Sequence, residues 1–234
     1  ALARVGDVST IAALARRLRA GTAAMTRVTA ASLVDVVDAI AERFGAREGA
    51  LAALRTAVTD RSEVVAALSR ALPGARDVER VALVRVLGWL ADEESTESLV
   101  PLLDEGGAVA QAAVEALVSV GPASRAPMLV ALRDGTSEHR ALLLPHLAGT
   151  ACADESLVAC LDDPDPAVRA MACSALARSG STGAVPRLFA SLDDPDPRVA
   201  QAALGAIHAL GHGSTEALAL ETARRGSPRA RRAA

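Results

Sequence analysis

The segment Asp162-Asp163-Pro164-Asp165-Pro166-Ala167-Val168 returns 31 residues later as Asp193-Asp194-Pro195-Asp196-Pro197-Arg198-Val199. Each copy follows a Leu-rich stretch and opens an Ala-rich one. A fixed period in this range is typical of proteins built from stacked structural repeats. The sequence therefore predicts an architecture in which each unit packs mainly on its neighbours.

The clearest unit runs from Asp165 to Leu192. Asp165 is placed to cap a helix that begins at Pro166, Gly180 is placed to end that helix, and Thr182 is placed to cap the next one. Apolar residues recur at helical spacing at Val168, Ala172, Ala175 and Leu176 in the first helix, and at Val185, Leu188 and Leu192 in the second. The pattern predicts a helical hairpin whose two apolar stripes need neighbouring hairpins to bury them.

Further units follow the same pattern, with some positions substituted. Matching segments are Arg76–Leu103, Gly107–Leu132, Thr136–Leu161 and Asp196–Leu220, and the first 75 residues predict helices at Val8–Ala20, Ala30–Phe44, Gly49–Val58 and Ser62–Leu72. In the last unit, Ala200 replaces the Arg expected there. Pro145 falls inside a predicted helix, which it should kink.

At this point the chain resembles a known family. The residues Asp165-Pro166-Ala167-Val168-Arg169-Ala170, Ala175-Leu176, Gly180 and Ala184-Val185-Pro186-Arg187-Leu188 are similar to a HEAT repeat, and closest to the HEAT-like repeats of phycobilisome lyases. The resemblance extends over about residues 77–225. It implies an all-α, right-handed α-solenoid of about seven stacked helical hairpins, with a divergent N-terminal helical cap at 1–75, HEAT-like repeats at 76–225 and a basic C-terminal tail at 226–234.

Composition limits the class of protein. Aromatic residues are almost absent, and small apolar side chains suit close helix packing. Charges such as Arg85 and Glu115 interrupt the longest apolar runs, so no membrane span is expected. The net charge of −3 argues against a dedicated nucleic-acid binder. All basic residues are Arg, which fits the codon bias of a GC-rich bacterial genome, and three Cys without a CxxC pair favour a reducing cytoplasm.

No residue pattern predicts a metal, cofactor or catalytic site. His139 and His146 lie seven residues apart, and His208 and His212 lie four apart, but Gly211 should end the helix between the last two. The sequence therefore predicts surface or packing histidines. Cys173 lies among alanines on an apolar helix and is expected to be a buried structural thiol rather than a nucleophile.

The resemblance also leaves an enzyme open, since some HEAT-fold proteins are alkylpurine DNA glycosylases. Trp89, followed by Asp92 and Glu93, is a faint match to their aromatic and acidic residues. The surrounding acids would repel phosphate, and Trp89 is expected to fill the core. The Arg-rich C-terminus, with Arg224, Arg225, Arg229, Arg231 and Arg232, is expected to be solvated rather than a binding element.

Acidic residues gather in the turns between the predicted repeats. They are Asp104, Glu105, Asp134, Asp162, Asp163, Asp165, Asp193, Asp194 and Asp196. Asp suits the N-terminus of a following helix, so capping is expected to explain most of them.

The absence of a catalytic constellation favours a non-catalytic scaffold or adaptor that binds another protein on the concave face of a solenoid. Repeat alignment predicts that the binding ridge contains Glu97, Pro101, Met128, Ser156, Arg187 and Ala190. Such a small, partly apolar ridge suits an amphipathic partner helix. The alternative is a HEAT-family enzyme or enzyme partner, either glycosylase-like or a lyase- or chaperone-like subunit.

Overall fold

The computed structural model describes residues 8–90, 93, 95–148 and 154–211, and this part of the chain contains helices and no strand. The α-helices are α1 (Val8–Ala20), α2 (Ala23–Phe44), α3 (Arg47–Ala57), α4 (Arg61–Ala71), α5 (Asp77–Leu90), α6 (Ser95–Leu99), α7 (Gly107–Val120), α8 (Arg125–Asp134), α9 (Ser137–Leu147), α10 (Asp154–Ala159), α11 (Pro166–Ser179), α12 (Val185–Ser191) and α13 (Pro197–Leu210). Short 3₁₀ turns occupy Val100–Glu105, Gly121–Ser124, Cys160–Asp162 and Thr182–Ala184. The predicted all-α fold is confirmed for the described residues.

The chain divides into two compact units, Ala1–Pro127 and Met128–Ala234, which we call unit 1 and unit 2. The predicted basic tail at 226–234 lies outside the described residues. The limits predicted for the cap and the repeats, at residues 75 and 225, stay predictions.

Unit 1 is organised around α2, α5 and α7, which pack side by side. Helix α2 also contacts α1, α3 and α4, so it is the centre of the N-terminal third. It begins seven residues before the predicted Ala30, because Thr22 caps it by accepting a hydrogen bond from the Met25 amide. Gly45, with a φ of 63°, ends it in the left-handed conformation.

Helices α5 and α7 approach closely at one glycine. A Cβ built on Gly88 would lie 2.5 Å from the Cα of Ala116, so no larger side chain fits without moving a helix. Trp89, the next residue, is buried as predicted and lies under the Arg85 guanidinium, 5.1 Å from the ring centroid. The core of unit 1 therefore depends on close steric fit.

Unit 2 contains the two near-identical segments. Helices α9, α11 and α13 pack side by side, and Asp165 and Asp196 cap α11 and α13 as the repeat predicts. Gly180 ends α11 in the left-handed conformation, with a φ of 68°. The prediction that Thr182 caps the following helix is wrong: Thr182 opens a 3₁₀ turn whose N-cap, Ser181, makes no side-chain capping bond.

Arginine side chains link consecutive turns of unit 2 by hydrogen bonds and ion pairs. Arg140 donates to the Leu132 carbonyl at 2.9 Å and to the Asp163 carboxylate at 2.6 Å. One repeat later, Arg169 donates to the Asp163 carbonyl at 2.8 Å and to Asp194 at 2.7 Å. We call each such arginine, with the carbonyl and the carboxylate that it joins, a turn bracket.

The carboxylates of these brackets also order the next turn. Asp163 accepts the Asp165 amide and the Ser137 hydroxyl, each at 2.8 Å, and Asp194 accepts the Asp196 amide at 2.8 Å. The Asp163 side chain is completely buried. Each bracket thus positions the aspartate that caps the following helix.

The acidic turns therefore differ from the prediction that capping explains most of them. Capping accounts for Asp165 and for Asp196, which also pairs with Arg198, whereas the other acids paired with arginine are Glu105, Asp134, Asp162, Asp163 and Asp194. For Asp163 and Asp194 the partner is the arginine four residues after the N-cap of α9 or α11, whose long side chain reaches across to the next turn, whereas Asp134 and Asp162 pair with Arg133 and Arg187.

Candidate protein interface

The predicted ridge residues fall in both units. In unit 1, Glu97 lies in α6 and Pro101 lies in the following 3₁₀ turn, and both are exposed. In unit 2, Arg187 and Ala190 on α12 are exposed and Ser156 on α10 is half-buried. Each unit therefore presents part of the predicted set on its own surface.

Met128 is the clear error in that set. It was predicted to be the adaptable anchor of the ridge, yet it is only 3% exposed. Met128 and Leu132 are four residues apart on α8, so they share one helix face, and Leu132 is fully buried. The exposed apolar residue of α8 is Val130.

Arg187 is engaged rather than free. Its guanidinium pairs with the Asp162 carboxylate at the end of the preceding hairpin. Both side chains are largely exposed, so the pair contributes little stability and a competing ligand can replace it.

The titratable groups that suggested chemistry have structural positions. Cys173 is buried, as predicted, and burial raises the pKa of both Cys173 and Cys160 to about 11. A thiol with such a pKa is a poor nucleophile at neutral pH. His139 belongs to a capping box with Thr136 at the start of α9.

The other histidines are not part of this capping box. His146 and His208 are exposed, and His212 lies outside the described residues. Within the described ranges, no group of three or more His, Cys, Asp or Glu side chains is arranged to hold a metal ion. None of the described helices combines the length and apolarity needed to cross a bilayer.

A concave surface of unit 1 lies between α2 and α5. It has a volume of about 360 Å³, and its lining includes Ala31, Val34 and Asp35 of α2 and Asp77, Val78 and Val81 of α5. We call it the α2–α5 groove. Val78 is 81% exposed, and Val28, one turn before Ala31 on α2, is 63% exposed.

The charges around this groove are unevenly paired. Arg85, at its far end, forms a bidentate pair with Asp38, with N–O distances of 2.7 and 2.8 Å. Arg76 and Arg80 pair with Glu79 and Glu105. Asp35 and Asp77 are exposed and make no ion pair with any described residue. The lip of the groove therefore carries two carboxylates that form no ion pair with a described residue.

Sequence reasoning did not identify this groove. Val78, Val81 and Val34 lie at apolar helical positions, which predict burial in a chain as rich in Val and Ala as this one. The available signal was Asp35 and Asp77, because a carboxylate beside an apolar stripe marks its solvent edge.

The fold and its surfaces define a helical-repeat protein built from antiparallel hairpins. Residues 155–234 match the family model described as HEAT repeats. The match covers less of the chain than the predicted 77–225, and its last residues, 212–234, lie outside the described part.

Two other comparisons add little. A crystal structure of an engineered protein from a structural genomics consortium aligns with 95% of this chain and 92% of its own, at 18% sequence identity and a TM-score of 0.35. A likeness at that TM-score does not bear on fold or function. No functionally curated protein matches the sequence significantly.

Proposed function

We propose that this protein is a non-catalytic scaffold or adaptor that binds a partner protein through the α2–α5 groove. The observation that carries the proposal is the exposed apolar lining of that groove, where Val78 is 81% exposed. Large apolar side chains grouped around a concave surface mark interaction sites in soluble proteins. HEAT repeats commonly serve protein–protein interaction, which agrees with this role.

The groove replaces the predicted ridge as the favoured surface. With Met128 buried, the ridge residues of unit 2 present Arg187, which is already paired, together with small side chains. The groove presents the large exposed side chain of Val78, and apolar surface is the main source of binding free energy.

An enzymatic alternative has no favouring observation among the described residues. Trp89 is buried, so it offers no face on which a base can stack, and the Cys160 and Cys173 thiols have raised pKa values. The proposal also includes a closer likeness to phycobilisome lyase repeats and a bacterial source. It places the protein in the cytoplasm, which the free thiols of Cys160 and Cys173 support.

The test is site-specific capture. Val78→Asp places a carboxylate on the groove, and Val130→Asp, at an exposed valine of α8, is the matched control. Burying an unpaired carboxylate in an interface costs more than about 1.4 kcal/mol, so Val78→Asp should lower partner affinity by about tenfold or more.

Arg187→Glu tests the ridge in the same assay. Loss of capture with Arg187→Glu but not with Val78→Asp would return the interface to the ridge. Unchanged capture by both variants would exclude both surfaces.

A further inference from the structure

We propose that the partner bound in the α2–α5 groove is an amphipathic helix with basic residues beside its apolar face, an inference that rests on the protein-binding function proposed above. The groove geometry, its backbone and its charges each support one part of this assignment.

The groove geometry fits a helix. On α5, Val78, Val81 and Ala82 are spaced i, i+3 and i+4, so they form one continuous face; on α2, Ala31 and Val34 form the facing edge. Small and β-branched side chains along both edges leave a shallow trough between two helices. A third helix packs into such a trough by placing one row of its side chains between the two ridges.

The backbone around the groove disfavours an extended peptide. An extended ligand gains affinity by pairing its main chain with unpaired backbone groups, as at a sheet edge. The groove is made of the middle of α2 and the first half of α5, where the carbonyls and, apart from the first-turn amides of α5, the amides bond within the helices. A helical ligand, whose own main chain is already bonded, needs no such partners.

The charges around the groove indicate that the partner is positively charged. Asp35 and Asp77 lie on the groove lip and pair with none of the residues that the structure describes, while Arg76, Arg80 and Arg85 form ion pairs with Glu79, Glu105 and Asp38. Basic side chains beside the apolar face of a helix would supply the missing counter-charges. Anionic helices and anionic lipid surfaces would be repelled by these two carboxylates.

The experiment is a selection from a displayed library of helical peptides about four turns long. Their apolar stripe is fixed as Ala, Val and Leu, and the flanking positions are randomised among acidic, neutral and basic residues. The full chain is the bait, and the Val78→Asp chain provides the background. Enriched peptides should carry Lys or Arg at the flanking positions.

A chosen peptide then tests the two carboxylates. Asp35→Asn and Asp77→Asn should each weaken binding by roughly 1.5- to 5-fold at low salt, as expected for exposed ion pairs, and the loss should shrink as salt is added. Glu97→Gln, an exposed acid on α6, is the matched control and should leave the affinity unchanged.

The outcomes separate the two proposals. Enrichment of neutral or acidic peptides, or affinities insensitive to both Asn substitutions, would overturn the basic partner while leaving the groove as a protein-binding site. No enrichment above the Val78→Asp background would overturn the groove itself, and with it the surface assigned to the proposed function.

Discussion

Unit 1 and unit 2 hold similar helices together by different means. In unit 1, α5 and α7 touch at Gly88 and Ala116, where no Cβ fits, and the corresponding arginine, Arg80, pairs with the partly exposed Glu105. In unit 2, Arg140 and Arg169 form turn brackets with buried or nearly buried aspartates. The same hairpin can therefore be fixed by steric fit along the helices or by buried polar bonds at their ends.

The largest expected effect is in the brackets. Asp163→Ala leaves Arg140 and the Asp165 amide without their acceptor in a buried site, and should lower the free energy of unfolding by about 3 kcal/mol. Urea unfolding followed by circular dichroism measures this change.

Substitutions of the two less buried acids test whether the loss of stability follows burial. Asp194→Ala should cost about 2 kcal/mol, since its pair is less buried, and Glu105→Ala in unit 1 should cost below about 1 kcal/mol. Equal losses at Asp163 and Glu105 would show that the brackets do not distinguish the units.

Steric fit is tested at two glycines. Gly88→Ala should lower the free energy of unfolding by about 2 kcal/mol, because the new methyl group overlaps the Ala116 backbone. Gly205→Ala in α13, where nothing lies within 4 Å, should raise it by roughly 0.5–1 kcal/mol. A stabilising Gly88→Ala would contradict the close contact; differential scanning calorimetry provides the measurement.

Acid should affect unit 2 before unit 1. Burial alone would raise the pKa of Asp163, but its bonds from the Asp165 amide, Arg140 and Ser137 outweigh burial and lower it; the Arg169 bonds lower the pKa of Asp194. A lowered folded-state pKa stabilises the protein above the unfolded pKa of about 4, and this contribution is lost as pH falls through the folded value.

Two optical signals separate the units during that titration. Trp89 is the only tryptophan in the sequence, so its fluorescence reports on unit 1, whereas circular dichroism reports on both units. Helicity should begin to fall below about pH 4 while the tryptophan signal still persists. Asp163→Asn should flatten this early loss; simultaneous loss of both signals in the wild type would argue against the bracket explanation.

The smallest effect concerns the thiols of unit 2. With Cys152 replaced by Ser, Cys160 and Cys173 should remain unlabelled by an aromatic disulfide reagent at about pH 8, because burial raises both pKa values to about 11. Labelling should appear only as urea opens unit 2. Rapid labelling of the native protein would show that unit 2 opens more readily than its burial indicates.

The sequence predicted what is local and repeated. Asp165, Gly180 and the apolar stripe of α11 could be assigned because caps and helical spacing act within a few residues. The turn brackets were missed because they join residues 23 to 25 positions apart, although Arg140 and Arg169 both follow their N-caps by four.

The candidate interface was predicted less well for a different reason. Repeat alignment assigned Met128 to the surface, yet its i+4 relation to the buried Leu132 indicates the opposite. The α2–α5 groove lies in a region without a readable repeat, and an exposed valine has the same sequence signal as a buried one. Exposure there depends on how α2 packs beside α5, which is a non-local property.

The turn brackets make one stretch of unit 2 a self-contained module. Residues 164–194 carry Arg169, which reaches the Asp163 carbonyl behind it, and Asp194, which orders the turn ahead. A second copy of residues 164–194 inserted after Asp194 would follow one aspartate and end in another. Each arginine of the turn brackets would then have both its carbonyl and its carboxylate acceptor. The 31-residue period is thus a unit by which the array can be lengthened through gene duplication or design.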